Sequence, residues 1–148
     1  MKGAVRISAY DVASKYFQLE EMEDKDKCVT QVFFAPDSTL TLMDTDGPAP
    51  NASSGEWEVS VDGAIKMTIN RTFSAGQPEI QSTDVGEFAY EVKRQYLGQA
   101  EKIGGLTGFS GSIHRIDEEE PDAEVGYFEL IDTTVAKKED SGDVQRGI

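Results

Sequence analysis

Apolar and polar residues alternate along two stretches of the chain, residues 55–61 and 64–73, on either side of Asp62-Gly63. Strict alternation is typical of a strand with one buried face, and Asp-Gly between two such runs is a strong hairpin signal. The first run carries Trp57, the only tryptophan in the sequence. The two stretches are therefore predicted to form a β-hairpin with one apolar face.

The register of this hairpin follows from which residues must share a face. A two-residue loop would place Trp57 opposite Thr68 and mix apolar with polar positions. A three-residue loop that ends at Gly63, with Gly63 in the left-handed region, keeps one face apolar, whereas a slip by one residue would turn a whole strand inside out. The pairs predicted by the three-residue loop are Val59 with Ile65, Trp57 with Met67, and Gly55 with Ile69.

Similar short stretches follow one another along the rest of the chain. Around the turn at residues 35–38, pairing Phe34 with Leu40 and Val32 with Leu42 also keeps one face apolar. Residues 44–54, 74–84 and 117–122 are predicted to be loops because they are rich in proline, glycine or acidic residues. The remaining predicted strands are residues 16–22, 28–34, 39–43, 88–96, 100–103, 106–116 and 123–132.

About eight strands with little helical periodicity predict an all-β fold, a single antiparallel and mostly up-and-down β-barrel. The barrel domain is expected to span residues 15–134. It would follow an N-terminal extension (1–14), which contains a short irregular or helical stretch, and precede a polar C-terminal tail (135–148). The interior of such a barrel is either filled by side chains or holds one small ligand, and the pattern leaves both open.

The 148 residues suit one domain, and their formal net charge is −14. This charge argues against a nucleic-acid partner and against an anionic membrane surface, and it favours a partner with a basic surface. No stretch approaches the ~20 apolar residues of a membrane-spanning helix, and no secretory signal is recognised. The protein is expected to stay in the cytosol, or to have lost a targeting segment.

Two arginines take positions on the predicted apolar faces of their strands. Arg71 follows Ile65, Met67 and Ile69, and Arg94 takes the same kind of position in its own strand. Buried guanidinium groups need partners, so each is expected to pack over an aromatic ring such as Trp57 or to bind carbonyls or a carboxylate. The functional alternative is that they anchor an anionic ligand. If the barrel holds a ligand, the candidate contacts are Arg71, Arg94 and Trp57.

The residues that usually carry catalysis or bind transition metals are scarce. His114 is the only histidine and Cys28 the only cysteine. A zinc or iron site needs several such ligands, and nucleophilic catalysis needs a positioned base. We therefore expect no metal site, no cofactor and no catalytic residue, and we interpret Cys28 as a buried, unreactive thiol.

Acidic residues cluster in two places. The first cluster contains Glu20, Glu21 and Glu23, and the second contains Glu118, Glu119 and Glu120. Neither cluster has the alternating spacing and glycine of a calcium-binding loop, so solvated surface charge is the favoured interpretation. These six residues are the candidates for docking on a larger protein complex with a basic surface.

Residues 33–42 have the sequence FFAPDSTLTL, and residues 55–57 and 65–69 then read GEW and IKMTI. This order resembles lipocalin-like small barrels, in which a similar hairpin precedes a Gly-x-Trp strand. The resemblance covers residues 29–73, although Trp57 lies in about the fourth strand and the lipocalin Gly-x-Trp lies in the first. It implies a barrel that carries a small apolar or anionic ligand.

The whole chain also resembles soluble plastid proteins of diatoms and related algae. Some small acidic members of that group attach to the stromal side of photosystem I and its antenna. The resemblance implies a location in the plastid stroma, associated with thylakoids, and a non-enzymatic accessory or scaffold subunit. A lipocalin-like carrier is the alternative function, and a small barrel enzyme of unknown chemistry is a third.

Overall fold

The computed structural model describes residues 7–74, 89–116 and 123–135. The described residues form one closed barrel of eight antiparallel strands, in which each strand pairs with its neighbours in the sequence and β8 pairs with β1. The predicted all-β, up-and-down barrel is confirmed. The elements are α1 (Ala9–Val12), β1 (Lys15–Glu23), β2 (Asp26–Phe34), β3 (Thr39–Thr45), β4 (Ala52–Val59), β5 (Ala64–Ser74), β6 (Ala89–Ile103), β7 (Leu106–Arg115) and β8 (Glu124–Asp132).

The hairpin of β4 and β5 has the register that the alternation predicts. Val59 pairs with Ile65, Trp57 with Met67, and Gly55 with Ile69. Gly63 lies in the left-handed region with φ 87°, and the backbone N–H of Ser60 donates to the carbonyl of Ala64 at 2.9 Å. These features define the three-residue loop at residues 61–63. The pairs predicted for β2 and β3, Phe34 with Leu40 and Val32 with Leu42, are also confirmed.

β6 differs from its prediction, because the segments expected at 88–96 and 100–103 are parts of one 15-residue strand. Gly98 interrupts the alternation between them. It faces Gly111 on β7, where a Cβ atom would lie 2.0 Å from the carbonyl oxygen of Leu97. The two glycines therefore let the backbones of β6 and β7 approach closely, and the ring of Phe128 occupies the space beside Gly98.

Other boundaries also shift, since β4 begins at Ala52, within the predicted loop at 44–54, and β3 extends to Thr45. The short stretch at 7–14, predicted to be irregular or helical, contains α1. The predictions for residues 1–6, 75–88, 117–122 and 136–148 lie outside the described residues.

The hydrophobic core fills the end of the barrel where β1 begins, which we call the lower end. Ile7 and Val12, on either side of the start of α1, are buried in the same cluster. The phenyl rings of Phe17 and Phe34 meet edge to face at 4.9 Å. The largest fully buried side chains are Tyr96, Phe17, Phe34, Phe109, Leu19, Ile65, Met67, Ile69, Ile113 and Leu130.

The opposite end, where β1 ends, is the upper end and is more polar. Here β3 and β4 separate, since in the described chain they pair only through Thr39 with Glu56 and Leu40 with Gly55. Both pairs lie towards the lower end. The barrel wall therefore opens between Leu42–Thr45 of β3 and Ala52–Ser54 of β4, close to where β5 carries Arg71.

Candidate functional site

Arg71 turns into the upper end of the barrel, as its place after Ile65, Met67 and Ile69 predicts. Its Nη2 donates to Oε1 of Glu21 at 2.9 Å and its Nη1 donates to Oε2 at 3.3 Å. Nη1 also lies 3.4 Å from the hydroxyl oxygen of Tyr96. The carboxylate partner is one of those expected for a buried guanidinium, and a ligand role for Arg71 stays a prediction.

Tyr96 completes a network of three buried polar groups. It is fully buried, and its hydroxyl donates to Oε2 of Glu21. Burial raises the pKa of Tyr96 well above its usual range, and the charge of Glu21 raises it further, while Arg71 opposes the shift. Burial alone would lower the pKa of Arg71, but Tyr96 and Glu21 outweigh it, so this pKa is raised. Arg71 therefore stays charged and Tyr96 stays neutral.

Arg94 forms a second ion pair at the same end. Its Nε donates to Oε2 of Glu23 at 3.0 Å and its Nη2 donates to Oε1 at 3.2 Å, so the contact is bidentate. The two side chains are 18% and 30% exposed, against 13% and 7% for Arg71 and Glu21. The pair of Arg94 with Glu23 therefore lies nearer to solvent than the network of Arg71.

The interpretation of the first acidic cluster as solvated charge is wrong for Glu21, which is 6% exposed. Glu21 and Glu23 share the inner face of β1 with the buried Phe17 and Leu19. Their alternation with outward-facing residues could have identified them as partners for arginines that point into the barrel. Glu20 lies on the outer face and binds Lys27 at 3.2 Å. A docking role for these residues stays a prediction.

The second acidic cluster, with Glu118, Glu119 and Glu120, lies outside the described residues. Its docking role also stays a prediction.

Two clefts meet at Arg71. A cleft of about 160 Å³ at the upper end is bordered by Glu21, Cys28, Arg71 and Phe73, among others. A second cleft, of about 340 Å³, lies at the opening between β3 and β4 and also reaches Arg71. Arg71 therefore borders both clefts, but its two terminal nitrogens are already bonded to Glu21.

Below Arg71 the barrel is occupied by its own side chains. Trp57 is 4% exposed and Met67 is fully buried, as expected for a filled interior. Tyr90 is 54% exposed and stacks on Phe73 with the ring centroids 5.7 Å apart, so it lies at the upper rim and does not fill the core.

Cys28 and His114 lie on different faces of the barrel wall. The sulfur of Cys28, on the inner face of β2, is 3.4 Å from the hydroxyl of Thr45. His114 Nε2 lies 2.8 Å from the hydroxyl of Ser112 on the outer face of β7. The geometry does not bring this thiol and this imidazole together as a nucleophile and its base.

In comparisons with protein-family models, curated proteins and solved structures, nothing matches the chain. The part of the chain that the structure describes contains no group of three or more His, Cys, Asp or Glu side chains placed to hold a metal ion. It also contains no helix with the length and apolar character needed to cross a bilayer.

The buried hydroxyl of Tyr96 predicts a distinct alkaline response. A raised pKa in the folded state means that this group stabilises the fold below its unfolded pKa of about 10, and that the contribution is lost as pH rises above it. Replacing Tyr96 with phenylalanine should cost about 1 kcal/mol at pH 8, because Glu21 loses a donor. The difference from the wild type should shrink in denaturant titrations above pH 10.

The control for this pH series is Tyr127→Phe, since Tyr127 is 62% exposed on the outer surface. This variant should keep the wild-type pH profile. A Tyr96→Phe protein whose stability runs parallel to the wild type up to pH 11 would contradict the prediction.

Proposed function

We propose that this protein is a non-enzymatic accessory or scaffold subunit that docks on a larger, locally basic protein assembly. The pairing of the inward arginines carries the proposal. Arg71 is neutralised by Glu21 and Arg94 by Glu23. Each pair has no net charge, so the excess of −14 is carried by residues outside these two pairs.

The described outer surface supports this reading. Acidic side chains are exposed on β3, β4 and the turns beside them, where they can meet a basic surface. Such charges speed association and fix orientation more than they add affinity. The exposed acidic residues of this region are Asp37, Asp44, Asp46, Glu56, Glu58 and Asp62.

The assembly to test first is the stromal side of a photosystem I–antenna supercomplex, with the plastid stroma as the proposed location. The support for this choice is the resemblance of the chain to soluble plastid proteins of diatoms and related algae. A cytoplasmic assembly is the alternative location.

The deciding experiment is purification of the native protein at low salt, followed by native electrophoresis and mass spectrometry. We expect it to migrate with a large complex and to leave that complex as ionic strength rises, because salt screens charges that lie more than about 10 Å apart at 0.1 M. A protein that migrates alone at every salt concentration would contradict the docking proposal.

The second acidic cluster gives a more specific prediction. Replacing Glu118, Glu119 and Glu120 with glutamine should lower the association rate about tenfold at low salt, with little change in folding stability. Surface plasmon resonance against the isolated complex would measure the rate. Cys28→Ser and His114→Ala are the controls and should associate at the wild-type rate. Equal rates for the triple variant and the controls would show that this cluster does not guide docking.

A second candidate function is transport of a small anionic ligand, and the two clefts that meet at Arg71 favour it. A ligand anion would have to share this guanidinium with Glu21 or displace that carboxylate. Native mass spectrometry of the purified protein should then show a bound small molecule, which Arg71→Gln releases. A protein of apo mass in both forms would exclude the carrier.

A further inference from the structure

The outer surface carries a groove of about 450 Å³ across the strands β7, β8, β1 and β2. We call it the Tyr127 groove, and its outward-facing side chains include Glu20, Met22, Lys27, Tyr127 and Glu129. Two adjacent rows of paired side chains cross the groove. Glu129 of β8 lies directly opposite Glu20 of β1, and Tyr127 lies directly opposite Met22. The groove therefore places two carboxylates beside an aromatic and a thioether side chain.

The two carboxylates are unequally neutralised. Like charges directly opposite each other in an antiparallel pair destabilise the sheet. Glu20 is compensated, because Lys27 binds its Oε1 at 3.2 Å and the Gln18 amide donates to its Oε2 at 2.8 Å. Glu129 is partly buried and has no ion-pair partner within residues 7–74, 89–116 and 123–135. A further cation at Glu129 would therefore relieve the repulsion.

The neighbouring row offers a surface for the rest of a cationic side chain. Tyr127 is 62% exposed, so its ring is open to solvent on the outer face of β8. An arginine can lay its aliphatic stem along apolar surface, stack its guanidinium on an aromatic ring and bind a carboxylate through two parallel hydrogen bonds. The arrangement of Met22, Tyr127 and Glu129 matches these three properties.

We propose that the Tyr127 groove binds an arginine side chain of the basic partner protein, with its stem over Met22 and Tyr127 and its guanidinium on Glu129. This inference rests on the proposed docking function and names the surface and the partner chemistry for it. An acidic segment is disfavoured because it would meet Glu20 and Glu129. A second copy is disfavoured because each chain carries a charge of −14.

The first test titrates the blocked tripeptide acetyl-Gly-Arg-Gly-amide into the ¹⁵N-labelled full chain at low salt. We expect the largest amide shifts at Tyr127, Glu129 and Met22, and no binding of the matched tripeptide with citrulline, which has the same shape and no charge. Glu129→Gln should weaken binding roughly fivefold. Tyr127→Ala should weaken it about two- to fivefold.

Lys27→Gln should strengthen binding, because it frees Glu20 and removes a competing cation. Glu58→Gln is the matched control, since Glu58 is an exposed carboxylate on β4, a strand that does not border the groove. All variants alter outward-facing side chains, and thermal melts would check that they fold. Equal binding of the citrulline peptide, shifts centred elsewhere, or equal losses for Glu129→Gln and Glu58→Gln would overturn the proposal.

The second test separates failure of the groove from failure of the docking function. Glu129→Lys and Tyr127→Ala are returned to native extract beside the wild type. If wild type enters a large complex and both variants enter it equally well, the groove proposal is overturned and the docking function stands. If wild type itself stays alone, the docking function fails and the proposed partner fails with it. Loss of the complex in both variants would support the groove if Glu101→Lys, a charge reversal on β6 outside the groove, leaves the complex unaffected.

Discussion

Trp57→Ala is expected to lower the free energy of unfolding by about 3–5 kcal/mol, the range for removing a large aromatic side chain from a packed core. Trp57 is 4% exposed, and its indole ring meets the ring of Phe34 edge to face at 5.3 Å. Its Nε1 donates to the carbonyl of Ala35 at 2.9 Å. The substitution would therefore leave a cavity and also remove one of two donors to that carbonyl in the β2–β3 turn, the other being the backbone N–H of Ser38.

The matched control is Trp57→Phe, which keeps an aromatic ring against Phe34 and loses the indole N–H. It should cost less than the alanine variant by at least about 1 kcal/mol. Unfolding should be followed by far-UV circular dichroism in urea, because both variants lack the only tryptophan. If the alanine variant were no less stable than the phenylalanine variant, the packing role assigned to this ring would be wrong.

The hairpin around Trp57 shows how much of the fold follows from local pattern. Because a strand has a side-chain period of two, placing Val59, Trp57 and Gly55 opposite the apolar residues of β5 leaves one register. The strand boundaries are harder to predict from the sequence. Gly98 looks like an interruption in the sequence, and its role becomes clear only beside Gly111, where two backbones approach.

The candidate site was predictable only in part for a related reason. The alternation of apolar and polar residues predicts that Arg71 and Arg94 point into the barrel. Their partners lie on β1, far away in the sequence, and come close only because the barrel closes. The pairing of β1 with β8 brings the two ends of the barrel sequence together, and no local signal fixes its register. The cluster at 20–23 was interpreted as one charged surface, although alternation sends Glu20 outward and Glu21 inward.

This alternation gives the acidic residues of β1 two different roles. Glu21 and Glu23 neutralise arginines inside the upper end, while Glu20 faces Glu129 in the Tyr127 groove. Substitutions on the inner face should therefore change stability, and substitutions on the outer face should change association. A single alanine scan along β1, read by both measurements, would separate the two faces of the strand.

The largest effect on the inner face is expected from Arg71→Met, which should lower the free energy of unfolding by about 3–5 kcal/mol. The reason is that Glu21, 6% exposed, would be left buried without the guanidinium that compensates it. Urea titrations followed by Trp57 fluorescence would measure the loss. The triple variant Arg71→Met, Glu21→Leu and Tyr96→Phe should recover most of it, since it leaves neither an uncompensated charge nor a buried hydroxyl without a partner.

Arg94→Met is the matched control, because it breaks an arginine–glutamate pair of the same kind in a more exposed position. Its side chain is 18% exposed and that of Glu23 is 30% exposed, so water can solvate the carboxylate that remains. The expected loss is about 1 kcal/mol or less. If Arg71→Met costs no more than Arg94→Met, the network of Arg71, Glu21 and Tyr96 does not hold the upper end of the barrel together. If the triple variant recovers nothing, the loss does not come from an uncompensated carboxylate at Glu21. A large loss at Arg71 with recovery in the triple variant would mean that the cost comes from the uncompensated carboxylate, so a ligand anion that drew Arg71 away from Glu21 would bind at a cost to stability.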